Sequence, residues 1–203
     1  MARYSVEFLK YLVGMRGPRT SLTSQETALL CALSVDKQSV VEVGVYEGAT
    51  SQKIVSAIHP NGQLYLVDPF FRGTRMESWL GFSAAEFIAR RSLRGRAPNK
   101  AEFVRMTSLE AAATVRLHRP AELIFIDADH SYEAVKADFL AWHSHLADDG
   151  LIAFHDSRLS PKRPDLPADA GPVRFAIELA AGGMGRQWKL TDSVDTLSVF
   201  RRG

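Results

Sequence analysis

Three blocks of this 203-residue chain put polar side chains where short apolar runs stop, which is where an α/β fold presents its chemistry. The first, Glu42-Val43-Gly44-Val45-Tyr46-Glu47-Gly48-Ala49-Thr50, is a glycine-bearing turn leading out of the run Ser39–Val43. Such a turn brings backbone N–H groups close to a ligand, at the positive end of the following helix dipole. A dinucleotide fingerprint reads G-x-G-x-x-G; here Val45-Tyr46-Glu47 separates the two glycines, which disfavours pyrophosphate. Glu42, just before the turn, can accept from a ligand ammonium group, and Glu47 inside it is expected to be exposed. The second block is Asp68-Pro69, after Gln63–Val67, where a carboxylate suits ribose hydroxyls because it accepts two O–H bonds at once. The third comprises Asp127, His130 and, after the next apolar run, His155-Asp156. Asp127, His155 and Asp156 are three groups able to bind a hard or borderline cation. Equally, His155 can serve as a general base oriented by Asp156 or Asp127, with His130 as a second candidate base. Both chemistries stay open.

These residues need a scaffold that brings distant strand ends together. Ser39–Val43, Gln63–Val67, Glu102–Met106, Glu122–Ile126 and Leu151–Phe154 read as strands, β-branched and mostly apolar. Between them Thr50–Ile58, Ser83–Leu93, Ser108–Leu117 and Tyr132–Leu146 read as helices; in the last, Val135, Phe139, Trp142 and Leu146 share one face. Apolar strands alternating with helices predict a parallel sheet covered on both faces. Helices are also expected at Val6–Val13, Gln25–Leu33 and from Gly171 to about Ala181, and a closing antiparallel hairpin at Trp188–Leu190 and Thr196–Phe200. The segment Ser160–Pro172 carries four prolines and reads as a loop or lid on the ligand edge.

Composition narrows the function classes. Lys+Arg 25 against Asp+Glu 23 leaves +2, too balanced for a nucleic-acid groove. Arg90, Arg91, Arg94, Arg96 and Lys100 cluster, as a solvated helix face or loop would. A single cysteine, Cys31, excludes an intrachain disulfide and a Cys-rich zinc site. No apolar run approaches the roughly 20 residues that span a bilayer, and no signal-peptide pattern opens the chain, so a soluble cytoplasmic protein without membrane or nucleic-acid partners is expected. Trp79, Phe82 and Phe87 are expected to pack as core beneath the insertion that follows Asp68, the alternative being that they line an acceptor pocket.

The turn Glu42–Gly48 is similar to the E-x-G-x-Y-x-G form of class I S-adenosylmethionine (SAM)-dependent methyltransferases of the catechol-O-methyltransferase-like branch. Phe125-Ile126-Asp127-Ala128-Asp129-His130-Ser131-Tyr132, continuing to Asp149-Gly150 and Phe154-His155-Asp156, resembles small bacterial enzymes grouped with macrolide-sugar O-methyltransferases. The resemblance spans about residues 20–200. It implies one domain, 1–203, with a helical cap over 1–38 and a Rossmann-like core over 39–203. The core is a doubly wound, mostly parallel seven-stranded sheet with an antiparallel C-terminal hairpin and helices on both faces. Carried over, Glu42, Gly44, Tyr46 and Gly48 would hold the methionine part of SAM, Thr50 its carboxylate, Asp68 the ribose, and Thr107-Ser108 would flank the adenine. Thr20–Thr23 would close over the cofactor from the N-terminal side.

In the catechol branch, positions equivalent to Asp127, His155 and Asp156 hold Mg²⁺, which acidifies a substrate hydroxyl. His155 departs from the carboxylate of related enzymes; imidazole is a poor Mg²⁺ ligand and a better one for Mn²⁺, Fe or Zn²⁺. The expected activity is methyl transfer from SAM to a hydroxyl of a small molecule, a sugar or natural-product intermediate, with Mg²⁺ or Mn²⁺ as an optional aid. A homodimer is expected by analogy. Two other classes stand beside it. An NAD-dependent oxidoreductase shares the fold, and Tyr132-x-x-x-Lys136 has the spacing of a dehydrogenase dyad. A SAM-binding protein without transferase activity is the other.

Overall fold

The computed structural model describes residues 2–95, 100–185 and 188–203, without the side chains of residues 2–5, 76 and 80. Arg96 of the basic cluster lies outside the described residues. Two helices, α1 (Ala2–Leu12) and α2 (Ser24–Ser34), precede β1 (Ser39–Val43), α3 (Ala49–Ala57) and β2 (Gln63–Val67). Then come α4 (Arg75–Leu80), α5 (Ala84–Arg94), β3 (Ala101–Val104), α6 (Ser108–Thr114), β4 (Ala121–Ile126) and α7 (Tyr132–Trp142). The chain closes with β5 (Leu146–Phe154), α8 (Gly171–Ala180), β6 (Trp188–Val194) and β7 (Leu197–Arg202). The seven strands form one sheet in the order β3-β2-β1-β4-β5-β7-β6. The strands β1 to β5 pair in parallel, and β7 runs antiparallel to both β5 and β6.

Alternation along the strands sorts the core into two layers. Val41, Val43, Ile124 and Ile126 face the cluster built with Phe139 and Trp142 of α7 and Phe175 of α8. Val40, Leu64, Leu66, Leu123 and Phe125 face the cluster built with Leu30 of α2, Ile54 of α3 and Ala89 of α5. Every residue of β1 is buried, so both faces select apolar side chains; Ser39 at its start is polar, and Glu42 is the charged residue that needs a reason. Among the described residues no helix is long and apolar enough to cross a membrane.

Some expectations need correction. The helix α7 stops at Trp142, a 3-10 turn covers His143–His145, and Leu146 opens β5. Leu146 suits either element by spacing, and its pairing with Ala121 of β4 decides for the strand. The helix α6 ends at Thr114, because Val115 and Leu117, two apart, both pack on the core, a spacing that extended backbone provides. The short α4 has no counterpart among the expected helices. Of the three aromatics expected as core, Phe82 is partly buried against Phe8 at 5.7 Å between ring centroids, Phe87 meets the same ring at 5.7 Å but is 40% exposed, and Trp79 is 84% exposed. Arg90 of the basic cluster pairs with Glu86 and stacks 4.2 Å over Phe103, as a solvated face does.

Candidate active site

Parallel register fixes the site. Val67, Val43, Ile126 and Phe154 are the last paired residues of β2, β1, β4 and β5 and lie side by side. The next residue of each strand is Asp68, Gly44, Asp127 and His155, so four of the candidates share one sheet edge. The turn after β1 is folded inward. Gly44 N–H donates to Val67 O and Gly48 N–H to Val45 O, both at 2.9 Å. Val45 and Tyr46 N–H donate to Asp68 Oδ2 at 2.9 and 3.1 Å, and Phe70 N–H to Oδ1 at 2.7 Å. The glycines answer to packing as well as to any ligand: a Cβ on Gly44 would stand 1.9 Å from the Asp127 carbonyl oxygen.

A cleft of about 970 Å³ opens at this edge. Gly44, Tyr46, Asp68, Thr107, Ser108 and Asp127 line it. Glu42, Gly48 and Thr50 are not among its lining residues. Thr107 caps α6, with its Oγ1 and N–H both on Glu110, and Ser108 Oγ accepts from Trp142 Nε1 at 3.0 Å. Thr50, in the first turn of α3, meets Thr20 hydroxyl to hydroxyl at 3.0 Å. Thr23 is spent as the N-cap of α2.

Glu42 is 1% exposed, and its Oε2 has no hydrogen-bond partner among the described residues. Burial pushes its carboxyl up to about 8; the Ser51 hydroxyl opposes this, and the charges of Asp127 and Asp68 add to it. Because the folded value lies above the ordinary 4.5, the fold favours protonated Glu42. That contribution is complete below the unfolded value and is lost as pH rises through about 8, at about 1.4 kcal/mol for each pH step between the two values. The ligand-free Glu42→Gln variant should therefore lose less melting temperature than the parent between about pH 5 and 9. Parallel pH slopes for the two proteins would show that Glu42 ionises at its ordinary value.

His155, 2% exposed, is clamped between carboxylates. Its Nδ1 lies 3.1 Å from Asp127 Oδ1 and 3.7 Å from Asp156 Oδ2, and its Nε2 lies 3.4 Å from Glu26 Oε2. Burial works against its charge, yet Asp127 and Glu26 raise its pKa to about 10, so it carries its proton at neutral pH. Glu26 carries no mark of this role in the sequence. Its Oε1 accepts from Thr196 N–H and Oγ1 at 2.7 and 2.6 Å, and its Oε2 from Thr23 N–H at 2.7 Å. Burial alone would raise its carboxyl, but His155 and Thr196 bring it down to about 2. The available signal is Thr23-x-x-Glu26, a capping-box spacing that is silent about the second partner.

His130 is half exposed, with Nε2 3.2 Å from Asp156 Oδ2 and 3.8 Å from Asp127 Oδ1. The Asp156 hydrogen bond raises its pKa against burial. Asp156 also holds Arg163 of the proline-rich segment at 3.1 Å, which ties that loop to the end of β5. Among the described residues Asp127, His130 and His155 form a cation-capable trio, one ligand atom from each lying within 4.8 Å of the others. A small cavity of about 10 Å³, room for one water-sized species, is lined by these three. Asp127 lines both this cavity and the large cleft.

Glu47, expected to be exposed, is fully buried. It receives a bidentate contact from Arg16 at 2.6 and 2.9 Å and the N–H of Arg19 at 2.9 Å, which pins the residues after α1 onto the glycine turn. The Tyr132/Lys136 pair is absorbed elsewhere: Lys136 Nζ sits 3.0 Å from both the Tyr132 hydroxyl and Glu178 of α8.

A family model described as a methyltransferase domain matches residues 41–157. No curated protein matches the chain. Among solved structures, the cofactor-bound protein Rv0187 from MTB is 19% identical with a TM-score of 0.69, over 97% of this chain and 88% of that one. The O-methyltransferase TomG from Streptomyces achromogenes, involved in tomaymycin synthesis and solved with SAM, is 18% identical with a TM-score of 0.66. That match covers 90% of this chain and 81% of TomG. An O-methyltransferase from Bacillus cereus in complex with S-adenosylhomocysteine (SAH) is 14% identical with a TM-score of 0.67, over 97% and 89% of the two chains. At these identities the likeness is one of fold. The family match covers more than half of the chain, from within β1 to just past Asp156, and the glycine turn, Asp68 and Asp127 all fall inside it: the chain belongs to the methyltransferase-domain family.

Proposed function

We propose that this protein transfers a methyl group from SAM to a hydroxyl of a small molecule. The observation that carries the reading is the cleft on which Gly44, Asp68, Thr107, Ser108 and Asp127 converge. Its residues fit the cofactor. The glycine turn suits the amino-acid end, preceded by Glu42, whose unpartnered oxygen is buried outside the cleft lining; Asp68 suits the ribose, and Thr107 and Ser108 the adenine edge. Bound SAM supplies a methyl group activated on a sulfonium, which passes to the acceptor oxygen as the S–CH₃ bond breaks and SAH remains.

The protein's share is alignment and proton removal. His155 holds its proton and stays buried between Glu26 and Asp127, so it orients Asp127 and leaves the base role to His130. His130, accessible and steered by Asp156, takes the acceptor's hydroxyl proton in its neutral form as the oxygen attacks. Calorimetric titration of EDTA-treated protein should show binding of SAM and none of NAD. Asp68→Ala should weaken SAM about 100-fold, since a charged acceptor is lost and the turn's two N–H groups lose their anchor. Unchanged affinity would remove Asp68 from the cofactor site.

The Asp127/His130/His155 trio favours a second reading, in which a divalent cation sits beside the cleft and acidifies the acceptor hydroxyl. Two imidazoles and a carboxylate suit Mn²⁺, Fe or Zn²⁺ better than Mg²⁺. Titration with MnCl₂ alone, on the parent and on His130→Ala, separates the readings: heat that vanishes in the variant supports the cation, and no heat in either supports the free base.

A further inference from the structure

Among the described residues four buried polar side-chain atoms lack a hydrogen-bond partner: Glu42 Oε2, Ser51 Oγ, His155 Nε2 and Glu77 Oε2. Glu42 and Ser51 belong with the glycine turn and His155 with its carboxylates. Glu77 has no place in the chemistry described so far. It occupies the third position of α4, where Thr74 Oγ1 caps its N–H at 3.1 Å. A glutamate at this position ordinarily reaches back to the capping residue's own N–H, as Glu26 does in α2 and Glu110 in α6. Glu77 turns away instead, and its Oε1 accepts from Ala84 N–H at 2.7 Å, joining α4 to the start of α5. The side chain is 2% exposed, so its second oxygen is a buried carboxylate atom that a proton donor must satisfy or the fold bears the cost.

Its position says which donor. Glu77 lines the cleft together with Asp68, Phe70, Gly73 and Thr74. At Gly73 an added Cβ would stand 3.7 Å from Glu77 Oε2 and near nothing else, so the buried oxygen lies next to the open space that glycine leaves there. Asp68, the carboxylate that the fold offers to a ribose, already accepts three backbone N–H bonds. A ribose presents two adjacent hydroxyls, both donors, and a carboxylate so engaged is poorly placed to serve both. We infer that Glu77 is a second ribose-binding carboxylate, its Oε2 accepting from one hydroxyl of the cofactor's diol while Asp68 takes the other. The inference rests on the SAM reading above.

The test is a cycle between the side chain and the hydroxyl. SAH, 2′-deoxy-SAH and 3′-deoxy-SAH are titrated calorimetrically into the parent and into Glu77→Gln, which keeps the Ala84 contact and the shape. The parent should lose about tenfold in affinity for one deoxy analogue through the Glu77 contact. The variant should bind SAH about tenfold more weakly and no longer distinguish that analogue from SAH. Equal discrimination in both proteins, or a variant with parental SAH affinity, overturns the role of Glu77 and leaves the SAM reading standing. Failure of the parent itself to bind SAH overturns the SAM reading. If the variant melts below the assay temperature the parent decides alone, since indifference to both analogues overturns the inference.

Discussion

Glu26→Ala is expected to lower stability by about 3–5 kcal/mol, the range for removing one partner of a buried ion pair. Two losses coincide. The His155 imidazolium, 2% exposed, would keep Asp127 on one side and face an apolar methyl on the other. The partly buried N–H of Thr23 and, where water does not reach, the N–H and hydroxyl of the fully buried Thr196 would lose their acceptor. For a chain of this size each kcal/mol moves the melting temperature by roughly 2–4 °C, so a fall of about 6–20 °C should appear by calorimetry or circular dichroism. Glu26→Gln keeps the length and an acceptor for Thr196 but not the charge, and should lose less. The cycle with His155→Ala is the sharper measurement: once the imidazole is gone, removing the carboxylate should cost distinctly less. Strict additivity would mean that Glu26 acts through Thr23 and Thr196 and not through His155.

The same contact says why part of the site was legible in the sequence and part was not. Gly44, Asp68, Asp127 and His155 each follow a short apolar run, and a parallel sheet aligns the ends of its strands, so local pattern and general topology suffice to bring them together. Glu26 and Glu77 carry no such mark. Each sits three residues after a threonine in a helical first turn, and in a one-dimensional string both read as capping glutamates. One is a capping glutamate whose capping oxygen also faces His155 while its other oxygen holds Thr196, and the other is not a capping glutamate at all. Glu47 misled for a related reason. A charged residue in a glycine turn is ordinarily solvated, and only the chain passing over it supplies Arg16 and the Arg19 N–H. Leu146 shows the corresponding limit in the fold, where the helical spacing is real and the pairing with Ala121 overrides it.

Gly44→Ala is expected to be the most damaging single-methyl change in the site, and the reason separates two roles that glycine plays. Gly44 has φ +90°, a conformation other residues adopt only under strain of about 1–2 kcal/mol. Gly14 has a similar φ, +77°, with nothing within 4 Å of where its Cβ would stand, so Gly14→Ala reports the backbone cost by itself. At Gly44 the added carbon would lie 1.9 Å from the carbonyl oxygen of Asp127 and 2.5 Å from its carbonyl carbon. Those are backbone atoms, held by the Asp127 N–H bond to Val43 O at 2.8 Å, and cannot swing aside as a side-chain tip would. The ends of β1 and β4 must part, and the loss should exceed about 3 kcal/mol, against about 1 kcal/mol for Gly14→Ala. Because Asp127 and the turn that carries Val45 and Tyr46 to Asp68 move with it, SAM affinity should fall in the Gly44 variant and stay parental in the Gly14 variant. If the two alanine variants melt together, backbone strain alone explains Gly44, and the close approach of β1 to β4 contributes nothing to it.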